Sequence, residues 1–384
     1  MNKKYLINAS NLHVGGGVQV AISFLYECSL LSKDFSNYTI VVSSEVASGL
    51  KRIGANTSIF RSYQVIDTYG LKALTSPLNK LAKVHDVCFT VFGPNYLLKQ
   101  SKVEIVGFAQ PWMLYFDNPT LENLTPLQKL KLKVKFALQW AFFKRANMFV
   151  VELEHVQERL LQLKNIPQKR ISVVYNTISS IYLNSSLWRS LPFFRKKEKI
   201  SLGLVSRDYA HKNINTFPLV ADILKTKYAL DVHFYVTLTD EEMASKSSLF
   251  NQYVTSVGLL SPEECPSFYE QLDAVVFPSF LECFSASPLE AMVMSKPLFA
   301  SDRNFVRDVC SEHAIYFDPT NPEDIAAKIA DYFSSNNPDE TLNLNAARCR
   351  VPDDQMSFRS YPLLVARELI QKVFREHTHE HQAT

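Results

Sequence analysis

The chain has 384 residues, of which 47% are hydrophobic and 21% charged, and its formal net charge is +3. This composition is ordinary for a globular protein of two domains, and the weak positive charge argues against general nucleic-acid binding. No apolar run approaches the roughly 18 residues that a membrane span needs. The six cysteines form no C-x-x-C pair, which argues against a zinc site or a disulfide framework and fits a reducing cytoplasm.

The first half of the chain alternates predicted strands with predicted helices. The basic start, followed by a short apolar stretch, predicts a first strand rather than a signal peptide. Buried-strand patterns lie at Tyr5–Asn8, Tyr38–Ser43, Val87–Phe92, Glu104–Phe108 and Met148–Val151. Helices are predicted over Val18–Leu31 and Pro126–Arg145.

The second half repeats this alternation. Its predicted strands are Ile200–Val205, Asp231–Val236, Ala274–Pro278, Pro297–Ala300 and Ile315–Phe317. Its predicted helices are Thr216–Thr226, Cys265–Gln271, Pro288–Met294, Phe305–Cys310 and Pro322–Ser334. Alternating strands and helices predict an α/β protein with two doubly wound parallel sheets, each Rossmann-like.

A change in composition predicts the domain boundary. Residues 179–198 contain Asn184-Ser185-Ser186, Pro192 and a charged run, with little periodicity, and are typical of an exposed linker. We therefore expect a first domain over residues 1–178 and a second over residues 199–353. A last helix, within residues 354–384, is expected to return to the first domain.

The stretch FPSFLECFSASPLE, from Phe277 to Glu290, is the most informative part of the chain. A buried strand ends at Pro278, a loop carries Glu282, and a helix is predicted to begin with Ser287 as its N-cap and Glu290 completing a capping box. A strand, a loop and a helix N-terminus form an anion site in open α/β sheets. A capping box alone also explains Glu290, and an exposed loop acid alone also explains Glu282.

Two cations follow an earlier strand of the second half. Arg207 and Lys212 lie in SRDYAHKN, after the strand that ends near Val205. The carboxyl end of such a strand is where α/β proteins bind ligands, and Arg and Lys bind phosphate oxygens. The alternative is a solvated basic loop.

Three glycines, Gly15 to Gly17, separate the first strand from the first helix. They permit positive φ and close approach of a ligand to the backbone. A tight strand-to-helix turn is the alternative, and a third glycine of a dinucleotide fingerprint is missing at Val20.

Taken together, these motifs resemble the retaining family-4 group of the GT-B glycosyltransferases. Glu282 and Glu290 have its E-x7-E spacing, within FPSFLECFSASPLEAMVMSKPLFAS. Arg207 and Lys212 match its second-domain cations, and VVYNTIS matches its hinge segment. The segments SRDYAHKN and FTVFGPNY…GFAQPWML look like the branch that builds bacterial O-antigen and other surface polysaccharides.

The resemblance implies a GT-B fold and transfer of a sugar, with retention, from a nucleotide-diphosphate sugar of GDP-mannose, UDP or dTDP type to a glycan or lipid-linked acceptor. It implies no cofactor and no metal. The implied catalytic residues are Glu282, Arg207 and Lys212. The implied donor-binding residues are Glu290, Phe284, Ser285, Ala286, Ser287, Gly16 and Gly17. The candidates for acceptor or sugar contact are Gln110, Trp112 and Asn176.

The chain also departs from the family pattern. Cys283 and Ser285 stand where the family has glycines, and Gln110 stands where many members have a histidine. Gln110 cannot act as an acid or base. The resemblance implies a reaction in which the leaving phosphate takes the acceptor proton, so no protein base is required. A degenerate homologue that binds a sugar nucleotide or a partner transferase without turnover is the alternative, and an epimerase or phosphorylase relative would carry a different site pattern.

The helix predicted over Pro126–Arg145 has two interpretations. Its lysines and its aromatic residues Trp140, Phe142 and Phe143 suit an interfacial helix on the inner face of the cytoplasmic membrane, where a lipid-linked acceptor would lie. A core-packed helix with solvated lysines is the other interpretation. We expect a cytoplasmic protein with or without such peripheral contact.

Overall fold

The computed structural model describes residues 3–30, 35–122 and 124–335, which form two compact units. The first unit contains Leu124–Ser179 and the described residues within Met1–Leu114. The second contains the described residues within Tyr115–Asn123 and Ser180–Phe358. The helix predicted within residues 354–384 lies outside the described residues.

The first unit is built on a seven-stranded parallel sheet in the order β3-β2-β1-β4-β5-β6-β7. The strands are β1 (Tyr5–Ala9), β2 (Tyr38–Val42), β3 (Ser62–Val65), β4 (Val87–Thr90), β5 (Val103–Gly107), β6 (Met148–Val151) and β7 (Ile171–Val173). The helices are α1 (Gly16–Leu30), α2 (Ser44–Arg52), α3 (Leu78–Val84), α4 (Pro126–Phe143) and α5 (Glu154–Lys164).

The second unit contains a six-stranded parallel sheet in the order β10-β9-β8-β11-β12-β13. Its strands are β8 (Ile200–Leu204), β9 (Val232–Val236), β10 (Val254–Ser256), β11 (Ala274–Phe277), β12 (Leu298–Ser301) and β13 (Ile315–Phe317). Its helices are α6 (Phe217–Tyr228), α7 (Asp240–Ala244), α8 (Ser248–Tyr253), α9 (Cys265–Glu270), α10 (Ser287–Val293), α11 (Asn304–Cys310) and α12 (Pro322–Ser334). The predicted doubly wound α/β class is confirmed.

The central strands carry the core of each unit. All residues of β2, β4 and β6 are buried, as are all residues of β9, β11 and β12. Strands covered by helices on both faces of a parallel sheet read as continuous apolar runs, such as AVVF at Ala274–Phe277. This double burial explains why the central strands were recognisable from sequence.

The strand order fixes where each sheet can bind a ligand. In both units the chain reverses its direction of winding beside the first strand, between β1 and β4 in one and between β8 and β11 in the other. Parallel sheets bind ligands outside the carboxyl ends of the strands at such a switch point.

Residues 180–198, most of the expected linker, group with the second unit. The Trp188 indole N–H donates to Ile181 O at 2.8 Å, and Arg189 N donates to Glu263 O at 2.8 Å. The Arg195 guanidinium donates to both carboxylate oxygens of Asp273, each at 2.7 Å. These bonds tie a segment of loop-like composition to the second unit, and the boundary falls between Ser179 and Ser180.

Candidate active site

Two loops meet at the switch point of the second sheet. The loop after β8 carries Arg207 and ends in a short 3-10 helix, Ala210–Lys212, while the loop after β11 carries Ser279 and Glu282. The backbone N–H of Phe280 donates to the carbonyl of His211 at 2.8 Å and ties the two loops together. Side chains distant in sequence are thereby brought to one place.

Lys212 and Glu282 form an ion pair at the centre of this region. Lys212 Nζ lies 2.6 Å from Glu282 Oε1, and the two side chains are only 15% and 11% exposed. Ser279 Oγ donates to the same carboxylate oxygen at 3.2 Å, and Lys212 Nζ lies 5.4 Å from the ring centre of Phe277. The largely buried charges therefore compensate each other, and both side chains are held in defined positions.

His211 is a neighbour of this pair to which the sequence analysis gave no role. Its Nε2 lies 3.7 Å from Glu282 Oε1, and its ring stacks on Tyr209 at 5.7 Å between centres. Burial lowers the pKa of His211, with Lys212 acting in the same direction and Glu282 opposing it. The ring is therefore neutral at pH 7. The position of His211 directly before Lys212 is the only feature of the sequence that could have indicated a role for it.

Arg207 is held apart from the Lys212–Glu282 pair by a partner of its own. Its Nε lies 3.0 and 3.1 Å from the two carboxylate oxygens of Glu242, which also accepts from Asp208 N at 3.3 Å. Glu242 is the third residue of α7 and forms a capping box with Thr239. Lys246 Nζ adds a second tie, 2.5 Å from the Asp208 carboxylate. Carboxylate and ammonium groups thus fix the loop that carries both predicted cations.

The capping box predicted at Ser287 and Glu290 is wrong. Ser287 is the first residue of α10, and its N-cap is Ala286, which makes no side-chain cap hydrogen bond. Glu290 instead accepts from the Tyr269 hydroxyl at 2.8 Å. Burial raises the pKa of the Glu290 carboxyl, and the Tyr269 and Tyr182 hydroxyls and the Lys212 charge oppose this rise. The Glu290 carboxylate therefore bonds to a side chain of α9 and not to the backbone at the start of its own helix.

The loop between the two glutamates leads from the ion pair to α10. Cys283 is buried, and the three positions that follow it, Phe284, Ser285 and Ala286, are half-buried. The departures from glycine at Cys283 and Ser285 are accommodated within this loop without a positive φ at either position.

The remaining predicted residues belong to the first unit and are described apart from the ion pair. Gly16 and Gly17 open α1, preceded by Gly15 with a φ of 75° that favours glycine. Gln110 is the N-cap of the 3-10 helix Pro111–Met113, which contains half-buried Trp112. The Asn176 amide donates to Glu152 Oε1 at 2.7 Å. Their roles in donor or acceptor binding stay predictions.

Two absences hold for residues 3–30, 35–122 and 124–335, the part of the chain that the structure describes. No helix there combines the length and the apolar character required to cross a membrane. No group of three or more His, Cys, Asp or Glu side chains there is arranged to hold a metal ion.

Residues 190–348 match the family model described as glycosyl transferases group 1. The O-antigen chain mannosyltransferase RfbU of Salmonella typhimurium is 28% identical over 201 residues, which cover 49% of this chain and 51% of that protein. O-antigen chain mannosyltransferase B of Escherichia coli is 23% identical over 193 residues, covering 48% and 51%. The chain spans about half the length of the curated relatives it matches.

Solved structures resemble the chain over nearly its whole length. The Anabaena protein HepE in complex with UDP-glucose has a TM-score of 0.67 at 12% identity, covering 97% of this chain and 99% of that one. Sucrose-phosphate synthase of Thermosynechococcus elongatus has a TM-score of 0.65 at 13% identity, covering 97% and 98%. At such identities the likeness shows the fold alone. The chain therefore has the GT-B fold, and its second unit carries the region similar to group 1 glycosyltransferases.

Proposed function

We propose that the protein is a retaining, metal-independent glycosyltransferase that uses a nucleotide-diphosphate sugar. The observation that carries this proposal is the Lys212–Glu282 ion pair at the switch point of the second sheet, inside the region matched by the group 1 model. A cation and a carboxylate held together at a ligand-binding edge suit the two ends of such a donor, its diphosphate and its sugar.

In the proposed reaction, the bond between the anomeric carbon and the diphosphate oxygen breaks while a bond to an acceptor hydroxyl oxygen forms. The leaving diphosphate takes the acceptor proton, so no protein base is required. Lys212 leaves Glu282 for the phosphate oxygens and meets the charge that grows on them, with Arg207 as the second cation. Glu282 is then free to bind hydroxyls of the donor sugar, and neutral His211 lies beside it as a hydrogen-bonding group.

The rest of the donor is proposed to lie along the loop and α10. Phe284, Ser285, Ala286 and Ser287 would line the diphosphate, and Glu290 would bind the ribose. Glu290 Oε2 accepts from the Tyr269 hydroxyl at 2.8 Å, which orients the carboxylate. Tyr269 thus becomes a positioning residue for donor binding in this proposal.

The donor is proposed to be of the GDP-mannose type or a UDP- or dTDP-sugar, and the acceptor a glycan or lipid-linked glycan of a bacterial surface polysaccharide. The curated relatives are O-antigen mannosyltransferases, whereas the solved HepE complex contains UDP-glucose. A thermal-shift screen against a panel of sugar nucleotides separates these donors, because a ligand well above its Kd stabilises the folded protein.

Turnover by two variants tests the assignment. Glu282→Gln and Lys212→Ala should each lower the rate of donor consumption by about 10²–10³, the usual effect of removing one group that stabilises transition-state charge. Lys225→Ala, an exposed lysine on α6, is the matched control and should retain the wild-type rate. Wild-type rates in both site variants would overturn the proposal, and the anomeric configuration of the product, read by NMR, tests retention.

A degenerate binder without turnover is the second candidate. The departures at Cys283, Ser285 and Gln110, together with the mutual neutralisation of Lys212 and Glu282, favour it. Donor binding in the thermal-shift screen with no donor hydrolysis and no transfer would support this candidate over the enzyme.

We also propose that α4 contacts an anionic membrane surface. Leu127, Leu130, Val134 and Leu138 are 60%, 57%, 61% and 43% exposed, and their spacing places them on one face of the helix. The exposed Lys131, Lys133 and Lys135 flank that face. Apolar side chains bordered by cations suit insertion between anionic headgroups.

Two aromatic residues that the interfacial interpretation placed near lipid, Trp140 and Phe143, pack inside the first unit, as the core-packed interpretation expects. Phe143 is only 1% exposed, and Trp140 stacks on Phe149 at 6.0 Å between ring centres, beneath Lys164. The aromatic residues therefore anchor α4 to its own unit, and the leucines and valine form the exposed face.

Liposome co-sedimentation tests the membrane proposal. Wild-type protein should bind vesicles that contain phosphatidylglycerol more than purely phosphatidylcholine vesicles, and the double variant Leu130→Glu/Val134→Glu should lose this binding. Leu163→Glu, at a 47% exposed leucine of α5, is the control. Equal binding to both vesicle types, or no effect of the double variant, would contradict the proposal.

A further inference from the structure

Arg207 and Lys212 differ in how far their carboxylate partners engage them. The single charged nitrogen of Lys212 lies 2.6 Å from Glu282 Oε1. A guanidinium carries N–H donors on three nitrogens, and the hydrogen bonds from Arg207 to Glu242 come from Nε alone, at 3.0 and 3.1 Å. Within the part of the chain that the structure describes, neither terminal nitrogen of Arg207 has a hydrogen-bond partner. Because the side chain is 40% exposed, these terminal N–H groups are left for a ligand.

Glu242 is itself held in place by groups other than Arg207. Its Oε1 accepts from Asp208 N at 3.3 Å, and its Oε2 accepts from Thr239 N at 2.9 Å. Partial burial raises the pKa of the Glu242 carboxyl, but the hydrogen bonds that it accepts and the positive charge of Arg207 outweigh burial and lower the pKa below its usual value. Glu242 is therefore an ionised and fixed partner for the guanidinium at pH 7.

The backbone on both sides of this arginine is held by further contacts. Ser206 N donates to Thr237 Oγ1 at 3.0 Å, and the same hydroxyl donates to Ser206 O at 2.9 Å. On the other side, Lys246 Nζ lies 2.5 Å from the Asp208 carboxylate, and the Lys246 side chain is only 6% exposed. The loop therefore keeps anchors that do not depend on the contact between the guanidinium and its carboxylate.

The contact with Glu242 changes what a ligand must do to bind Arg207. A free arginine side chain has many rotamers, and a ligand that binds it must restrict them. A guanidinium already fixed through Nε does not impose this cost at the moment of binding. The negative charge of Glu242 acts against an anionic ligand, but two backbone N–H groups and the guanidinium share that charge. We therefore expect the gain from a fixed side chain to exceed the repulsion.

We propose that Glu242 is a positioning residue for diphosphate binding, which holds Arg207 by Nε and leaves its terminal N–H groups to bind phosphate oxygens. Arg207 then binds the diphosphate without leaving its partner, whereas Lys212 must leave Glu282. The identification of the anion as the diphosphate of a sugar nucleotide rests on the proposed transferase function. The proposal adds α7 to the two loops that build the site.

Calorimetric titration of the full chain with inorganic pyrophosphate tests this role. Arg207→Ala should weaken binding about tenfold or more, the usual effect of losing a hydrogen bond to a charged group. Glu242→Ala should weaken it about two- to tenfold, the effect of ordering one long side chain on binding. Glu242→Gln should lose less, because its amide keeps one oxygen that accepts from Nε. Glu241→Ala removes the same charge from an exposed position of α7 and should bind as wild type does.

A double variant separates positioning from a general effect on the fold. In the Arg207→Ala background, Glu242→Ala should change the affinity by no more than about twofold, because Glu242 acts through the guanidinium. Losses that multiply in the double variant would overturn the proposal. Tighter binding by both Glu242→Ala and Glu242→Gln would show that Glu242 only repels the anion, and would overturn it too. Wild-type affinity in Glu242→Ala, or no pyrophosphate binding by folded wild-type protein, would do the same.

Heteronuclear NMR of protein labelled at arginine follows the contact itself. The Arg207 Nε–H signal, assigned with Arg207→Lys, should be protected from exchange with water in the wild type and unprotected in Glu242→Ala. Protection should persist when pyrophosphate is added, and its loss would show that the anion takes Arg207 from Glu242, against the proposal. Because neither experiment contains a donor, wild-type turnover by Glu282→Gln and Lys212→Ala would remove the transferase function and leave the result on Glu242 standing.

Discussion

The Lys212–Glu282 pair places two opposite charges where water has little access. Their side chains are 15% and 11% exposed, and Ser279 donates to the shared oxygen at 3.2 Å. A buried pair of this kind contributes little net stability, because desolvation of both ions offsets their attraction. Removal of one partner is far more damaging, since it leaves the other charge buried and unpaired. We therefore expect the loss of one partner to lower the free energy of unfolding. This effect can be measured separately from the effect on donor turnover.

A double-mutant cycle checks this expectation. Lys212→Met should lower the free energy of unfolding by about 3–5 kcal/mol, because the Glu282 charge is left without its partner. Adding Glu282→Gln to Lys212→Met should restore most of that loss, while donor turnover stays abolished. Urea denaturation of the four proteins measures the coupling. Simple additivity of the two single changes would contradict an energetically coupled pair.

The proximity of Lys212 and Glu282 could be predicted from the sequence, whereas the partners of Arg207 and Glu290 could not. Lys212 and Glu282 follow adjacent strands, so strand order alone implies that they meet. The partners of Arg207 and Glu290 were not foreseeable, because Glu242 comes from α7 and Tyr269 from α9. Such contacts depend on how helices pack, which local patterns do not encode.

At the scale of elements, the edges of the sheets were the hardest parts to predict. The predicted central strands are present, but β3, β7 and β10 were missed, and each is the outermost strand on its side of a sheet. The residues of β3 are only partly buried, and β10 is three residues long. An edge strand lacks full burial and therefore lacks the continuous apolar run that marks a central strand.

The end of α6 offers a test at the element scale. Its C-cap, Ala229, adopts the left-handed conformation with φ of 53° and is exposed. This conformation costs a residue with a Cβ about 1–2 kcal/mol, a cost that glycine avoids. Ala229→Gly should therefore raise the free energy of unfolding by roughly 0.5–1 kcal/mol, after allowance for the greater freedom of glycine in the unfolded chain.

The opposite sign is expected for the same substitution inside a helix. Ala137→Gly, at an exposed position of α4, should lower the free energy of unfolding by about 1 kcal/mol. Thermal melting of the two variants and of the wild type measures both changes in stability. Destabilisation by Ala229→Gly of the same size as that by Ala137→Gly would show that the left-handed cap carries no strain.

At the scale of the whole molecule, burial displaces the pKa values of Glu27 and Glu104 in the first unit and of His233 in the second in opposite directions, while the pKa of Glu290 in the second unit is raised and opposes the effect of His233 there. In the first unit, burial raises the pKa of Glu27 to about 8 and that of Glu104 to about 7. In the second unit, burial lowers the pKa of His233 to about 4. The raised pKa values of Glu27 and Glu104 stabilise the folded first unit at low pH, because the folded state holds protons that the unfolded state releases. The lowered pKa of His233 stabilises the folded second unit at high pH, because the buried ring does not take up a proton that the unfolded state would bind.

The pH dependence of stability should therefore differ between the units. The stability that Glu27 and Glu104 provide is complete below about pH 4.5 and is lost as the pH rises through about 7 to 8. The stability associated with His233 is complete above about pH 6.5 and is lost as the pH falls through about 4. Of the three tryptophans, Trp112 and Trp140 lie in the first unit and Trp188 in the second, so a variant whose only tryptophan is Trp140 and one whose only tryptophan is Trp188 report on each unit.

Guanidinium unfolding followed by tryptophan fluorescence from pH 4 to pH 9 measures both trends. The midpoint reported by Trp140 should fall toward pH 9, and the midpoint reported by Trp188 should fall toward pH 4. Glu27→Gln should flatten the alkaline loss at Trp140, because the amide keeps the oxygen that accepts from Ser23 at 2.9 Å but carries no charge to release. The effect is expected to reach several kcal/mol, since each unit of pKa shift corresponds to about 1.4 kcal/mol. An alkaline slope at Trp140 that survives Glu27→Gln unchanged would show that the Glu27 carboxyl is not held protonated in the folded first unit.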